Sequence, residues 1–223
     1  MFDRMTPMVK NLLIANIAIF LLSMLSRQFF FSQFAFFNPI LPGGEQLINP
    51  NFKIWQVISY MFLHGGIGHL FSNMFGLFIF GSTLETYMGS KKFLTYYMIT
   101  GIGAALLNSL LNTYEMSQMI VESEHYWRQA VTPMVGASGA IFGILVAFGV
   151  LFPNVELMLL FFPVPIKAKY FVILYGLYEL YAGTAGLQQG VAHFAHIGGL
   201  ITGFILLKFF GFDQRIGPTF RRW

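Results

Sequence analysis

The sequence predicts an all-α integral membrane protein, a bundle of six spanning helices forming one domain over residues 1–223. Three observations predict it. Hydrophobic residues make up 56% of the 223 positions and charged residues only 10%, with a mean hydropathy of +0.66, whereas soluble domains carry roughly 25% charge. Six apolar segments approach the ~20 residues that cross a ~30 Å hydrocarbon core. The basic residues also cluster in alternate connections, as the positive-inside rule requires.

The first span runs from about Leu12 to Leu25 behind Arg4 and Lys10. No small-residue cleavage site follows it, so MFDRMTPMVKN is not read as a removable signal peptide. The loop from Ser26 to about Ile67 is aromatic (FFFSQFAFFNPI) but broken by Asn38, Pro39, Pro42, Gly43 and Gly44. It is expected to rest against the outer leaflet, its phenylalanines serving as interfacial anchors. The second span, Gly68 to Met88, opens with HGGIGHLFSNMFG. Lys91 and Lys92 precede the third span, Phe93 to Leu111, and a loop from Asn112 to Thr132 with Glu115, Glu122, Glu124, His125 and Arg128 reads as solvated. The fourth span, Pro133 to Phe152, stops at Pro153. Lys167 and Lys169 lead into the fifth, Tyr170 to Leu187, and Val191 to Phe212 is the sixth, before Arg215, Arg221 and Arg222. With both termini cytoplasmic, ten of the 13 Lys and Arg lie inside and only Arg27, Lys53 and Arg128 outside.

Composition also excludes function classes. The chain has no cysteine, which removes disulfides, thiolate metal sites and Cys nucleophiles. The net charge of +4 is scattered between apolar spans and forms no basic patch with interleaved aromatics, so no nucleic-acid partner is expected.

The stretch GASGAIFG, Gly136 to Gly143, raises a question of depth. A helix from Ala137 to Phe152 has 16 residues, about 24 Å, less than the ~30 Å core. If it ends at the cytoplasmic face, Ser138 and the first-turn amides lie below the outer surface, where unpaired N–H groups suit an anion. Gly139, Gly143 and Ala147 form a small-residue stripe, and Gly199 and Gly203 form another in AHIGGLITG. Such stripes let helices approach closely. His196 lies one turn before Gly199, so packing of the two helices brings an imidazole beside Ser138, where it can act as its base. His69 and Asn73, four apart on one helix face, are donors at the same depth. Together with the Ser138 backbone amide they suit an oxyanion hole. His64 falls off that face and reads as structural.

No Asp or Glu is near enough in sequence to be assigned as a third member, so the expectation is a Ser138/His196 dyad. Metal binding is the rival, because His193 and His196 form H-x-x-H. Those segments hold no carboxylate and no H-E-x-x-H, so no metal and no cofactor is expected. Ala140 stands where the G-x-S-x-G elbow of soluble hydrolases needs glycine.

The ordered set of H-x-x-x-N at His69 to Asn73, G-x-S-G at Gly136 to Gly139 and A-H-x-x-G-x-x-x-G at Ala195 to Gly203 resembles the rhomboid family of intramembrane serine proteases. The resemblance extends from Trp55 to Gly203. It implies a bacterial-type, six-helix protein of the bacterial inner membrane whose active site opens to the extracytoplasmic side. Ser138 would be the nucleophile, His196 the base, His69 and Asn73 the oxyanion donors, and Gly136 a packing glycine with the stripe glycines. It further implies a first loop partly embedded in the membrane, a fifth span acting as a lateral gate and a structural role for Glu85. Two positions depart from the pattern: Phe142 stands where some relatives have Tyr packed on the catalytic His, and Trp55-Gln56 replaces a Trp-Arg pair. The implied substrates are transmembrane proteins, cut at small residues near the outer face with Gly or Pro nearby weakening the helix. Glu179 in the fifth span is expected toward the outer side, reaching for water, with a role in gating as the alternative. The alternative is a noncatalytic rhomboid-like binder or escort of membrane proteins, which would need neither Ser138 nor His196.

Overall fold

The computed structural model describes residues 5–44, 46–159, 162–187 and 191–211. Arg4, Arg215, Arg221, Arg222 and the expected end of the last span at Phe212 lie outside the described residues. Among the described residues three helices are long and apolar enough to cross a membrane: Pro7–Leu25, Ile67–Met88 and Ser90–Ser117. Two shorter apolar helices, Ser138–Leu151 and His193–Phe209, accompany them.

Helix α1 (Pro7–Leu25) starts with proline at its first position, where a missing N–H costs nothing and φ is already helical. Its other first-turn amides are satisfied from outside: Met8 N and Val9 N each donate to the Glu85 carboxylate at 2.9 Å, as does the Thr6 hydroxyl at 2.5 Å. Glu85 also accepts from Ser90 Oγ. The structural role expected of Glu85 is thus an N-terminal anchor for α1, favoured by the helix dipole.

The first loop carries secondary structure of its own. It contains helix α2 (Arg27–Phe34) and the short α3 (Gln56–Ser59), which runs into a 3₁₀ turn at Tyr60–Phe62. Phe36 and Phe37 are buried, not interfacial, and Phe36 forms an antiparallel bridge with Met134 (N–O 3.0 and 2.8 Å). Gln56 is fully buried and uses both ends of its amide, accepting from Lys53 N and donating to Asn51 O, each at 3.1 Å. A neutral amide suits that enclosure better than the charge of the Trp-Arg pair would.

Helices α4 (Ile67–Gly76) and α5 (Ser82–Met88) form one rod through a π-helical segment at Leu77–Gly81. Gly89, at φ +80°, turns the chain into α6 (Ser90–Ser117). At about 42 Å, α6 extends six residues past the expected span end at Leu111. Its extra turns are held by the first loop: Asn38 accepts from Ser109 Oγ (2.6 Å) and donates to Thr113 Oγ1 (3.1 Å). The loop expected to be solvated exposes Glu122, Glu124, His125 and Arg128, and it also folds helix α7 (Glu124–Val131), whose Tyr126 and Ala130 pack on Leu41 and Met116.

The fourth span begins later than Pro133: residues 133–137 are not helical, and α8 covers Ser138–Leu151. After Pro153 an antiparallel hairpin, β1 (Glu156–Leu159) with β2 (Phe162–Lys167), pairs Glu156 with Lys167. Helix α9 (Ala168–Thr184) follows, then α10 (His193–Phe209). The core is built where α6, α8 and α10 meet.

That junction depends on missing side chains. A Cβ at Gly199 would collide with the Gly139 carbonyl on α8, and one at Gly203 would come within 2.5 Å of the Tyr96 hydroxyl. The open sides of Gly139 and Gly143 face Ala104 and Thr100 of α6 rather than α10. The two stripes therefore do not simply face each other: α8 is wedged in a notch, its backbone against α10 and its glycine face against α6.

Candidate active site

Ser138 opens α8, and no side chain caps that helix. Its N-terminal amides thus remain available, as four first-turn N–H groups lack intrahelical partners in any α-helix. The strand-like approach to it is fixed by Gly136 N donating to Tyr60 O (3.0 Å) and by the Phe36–Met134 bridge. Gly136 itself adopts φ +119°, a region that L side chains avoid.

His196 enters from α10. Its Nε2 is 2.8 Å from Ser138 Oγ. Its ring stacks on Phe142, with centroids 4.3 Å apart and planes 11° from parallel. Phe142 is one turn along α8 from Ser138, so the helix bearing the hydroxyl also fixes the plane of the imidazole.

His69 is placed by α4. Gly65 N donates to its Nδ1 (3.3 Å), which leaves the proton on Nε2 in the neutral ring. That Nε2 lies over Gly136: a Cβ there would come within 2.6 Å of it and 3.8 Å of Ser138 Oγ. Asn73 is buried, with Nδ2 donating to its own helix at His69 O (2.7 Å). One of its amide hydrogens is thus taken up locally and one is left for a ligand. His64 is buried in the preceding loop, its ring edge-on to His69 with centroids 5.1 Å apart. His69, Asn73, Gly136, Ser138, Phe142 and His196 all line one open cavity of about 1190 Å³.

The residue that sequence reasoning missed is Glu179. It was expected to reach for water, but it is 3% exposed. Its Oε2 lies 2.8 Å from His196 Nδ1 and 2.6 Å from His193 Nδ1. His193 Nε2 meets the Leu187 carbonyl at 3.1 Å. Glu179 is separated from His196 by 17 residues and a helix reversal, which hid the contact. The available signal was an acidic residue in an otherwise apolar span, rarely tolerated without a partner. The carboxylate that the H-x-x-H segment lacks is supplied from α9, with the three donor atoms within 4.8 Å of one another. Their separations are hydrogen-bond lengths, and the far nitrogen of His196 is directed at Ser138.

Comparison with known proteins agrees with the residue pattern. The Rhomboid domain family model matches residues 51–211. Rhomboid protease AarA of Providencia stuartii is 37% identical over 159 residues, 68% of this chain and 54% of that protein. RHOMBOID-like protein 6, mitochondrial, of Arabidopsis thaliana is 35% identical over 73% of this chain and 45% of its own length. RHOMBOID-like protein 1 of the same plant is 30% identical over 96% and 54%. The chain spans about half the length of these curated relatives. The mitochondrial relative means that similarity alone does not point to a bacterial inner membrane. The domain match, together with apolar helices built around the Gly136–Ser138 turn and the AHIGG helix, identifies the chain as an integral membrane protein of the rhomboid family.

Proposed function

We propose that this protein is an intramembrane serine endopeptidase that cuts transmembrane helices near the extracytoplasmic face of a bacterial inner membrane. The observation that carries this reading is the 2.8 Å contact between Ser138 Oγ and His196 Nε2 at the uncapped start of α8. In the proposed reaction Oγ attacks the scissile carbonyl while His196 Nε2 takes the hydroxyl proton. The developing oxyanion meets the Ser138 amide and the Nε2–H of His69, with Asn73 within the same cavity. His196 then gives its proton to the departing amine, leaving an acyl-enzyme that water hydrolyses. Stacking on Phe142 holds the ring through both transfers.

The substrate class follows from backbone chemistry. A carbonyl in an intact membrane helix is already hydrogen-bonded and wrapped by side chains, so substrates with Gly or Pro near a small residue are favoured. The outward-opening site, the cytoplasmic termini and the six spans belong to the same proposal, supported by the charge distribution of the sequence. A fluorophosphonate probe is expected to label the purified protein but not Ser138→Ala, and a helix-destabilised membrane substrate to be cut only by the wild type. Wild-type protein that neither reacts nor cuts would favour the noncatalytic escort reading instead.

A further inference from the structure

We propose that Glu179 is a positioning residue that completes a Ser138–His196–Glu179 relay, and that its bonds to His193 and His196 latch α9 to α10. The inference rests on the reading of Ser138 and His196 as nucleophile and base. Two independent observations support it. The first is directional. Glu179 Oε2 faces His196 Nδ1 at 2.8 Å while His196 Nε2 faces Ser138 Oγ at 2.8 Å. A carboxylate accepts and cannot donate, so this contact puts the neutral ring's proton on Nδ1 and leaves Nε2 as the lone pair that Ser138 requires. His193 Nδ1 on the same carboxylate oxygen, with its Nε2 at the Leu187 carbonyl, tethers Glu179 to the start of α10 and to the turn after α9.

The second observation concerns the carrier. Only Ala168, Glu179 and Ala182 are buried on the 17-residue α9, whereas α10 buries seven of its residues. Tyr170, Ile173, Leu174, Leu177 and Tyr181 all point outward from α9. Glu179 is thus the only buried side chain of α9 larger than a methyl group, and its bonds to two histidines latch that helix to α10. When α9 moves aside, His196 loses the partner that fixes its tautomer. Proton transfer therefore proceeds with the outer part of α9 docked.

As the Ser138 Oγ–carbon bond forms, the hydroxyl proton passes to His196 Nε2. The resulting imidazolium keeps its Nδ1–H directed at the ionised Glu179, which gains no proton. The Nε2 proton then leaves with the amine as the peptide C–N bond breaks.

The test uses the full chain in detergent or bilayers. Glu179→Gln removes the negative charge facing His196 and leaves a neutral amide whose NH2 competes with its oxygen for the place opposite Nδ1. It is expected to slow fluorophosphonate labelling and kcat by ~10²–10⁴-fold, by analogy with loss of the carboxylate in Ser-His-Asp triads, while KM for a transmembrane substrate stays within about threefold because Glu179 does not itself line the cavity. Glu179→Asp, which keeps the acceptor, is expected to recover part of that loss. Labelling of Glu179→Gln within threefold of wild type would overturn the relay. A second measurement does not depend on activity: proton–nitrogen spectra of ¹⁵N-histidine-labelled wild type should show a downfield Nδ1–H resonance, assigned to His196 by its loss in a folded His196→Gln variant. Its absence would also overturn the proposal. If the resonance is present in a wild type that neither labels nor cuts, the protease reading falls while the Glu179 contact stands.

Discussion

At Gly136 the backbone and a side chain make the same demand. The residue sits at φ +119°, and a Cβ would press within 2.6 Å of His69 Nε2. Gly136→Ala therefore combines backbone strain of about 1–3 kcal/mol with displacement of His69. Probe labelling is expected to fall by on the order of 10²-fold, the scale of an ångström-sized misplacement. Circular dichroism and melting would establish that the fold survives, and unchanged labelling would show that His69 is not held by this contact. Nearby His64 controls a different property. Burial, reinforced by the neighbouring His69, pulls its pKa from 6.5 down to about 4. The unfolded chain therefore binds more protons than the folded one between these values. This contribution to stability is fully present above about pH 6.5 and is lost as the pH falls toward 4, by up to about 3 kcal/mol. Melting temperature against pH should show that slope in wild type and flatten in His64→Gln.

At the scale of elements, the critical joint is the crossing of α8 and α10. Gly199 has no room for a Cβ against the Gly139 carbonyl, so Gly199→Ala must push α10 away from α8. His196 lies one turn before it on the moved helix and would leave its 2.8 Å contact with Ser138. Labelling is expected to fall by about 10²-fold or more, with a loss of stability of about 1–3 kcal/mol from overpacking. Activity within threefold of wild type in a normally folded variant would show that the crossing has slack. By contrast, α9 buries only three residues, and besides the Glu179 latch it is held through Phe171 on the core and Tyr175 on Phe142.

At the scale of the whole molecule, the basic-residue distribution and the position of Ser138 in a 14-residue helix lead to one expectation about sidedness. In sealed right-side-out vesicles a membrane-impermeant fluorophosphonate should label Ser138 without permeabilisation, whereas in inverted vesicles labelling should require it. The opposite pattern would reverse the proposed topology. The family and the membrane-helix character were legible in the sequence, because hydropathy, motif spacing and small-residue spacing each act within one segment. The spans follow from apolar runs, and Ser138, His69, Asn73 and His196 stand out as polar groups in unfavourable surroundings. Tertiary structure decided what depends on two or more segments meeting. The first-loop phenylalanines Phe36 and Phe37 turned inward, Phe36 because Met134 offered a bridge and Phe52 and Tyr60 an aromatic surface. Glu179 found His196 only through the reversal between α9 and α10, with a bond no local pattern encodes. The sequence alone determined a membrane bundle containing a serine and a histidine at matching depth. The arrangement of the three helices determined which groups face which nitrogen, because hydrogen bonding is directional and packing between helices sets that direction.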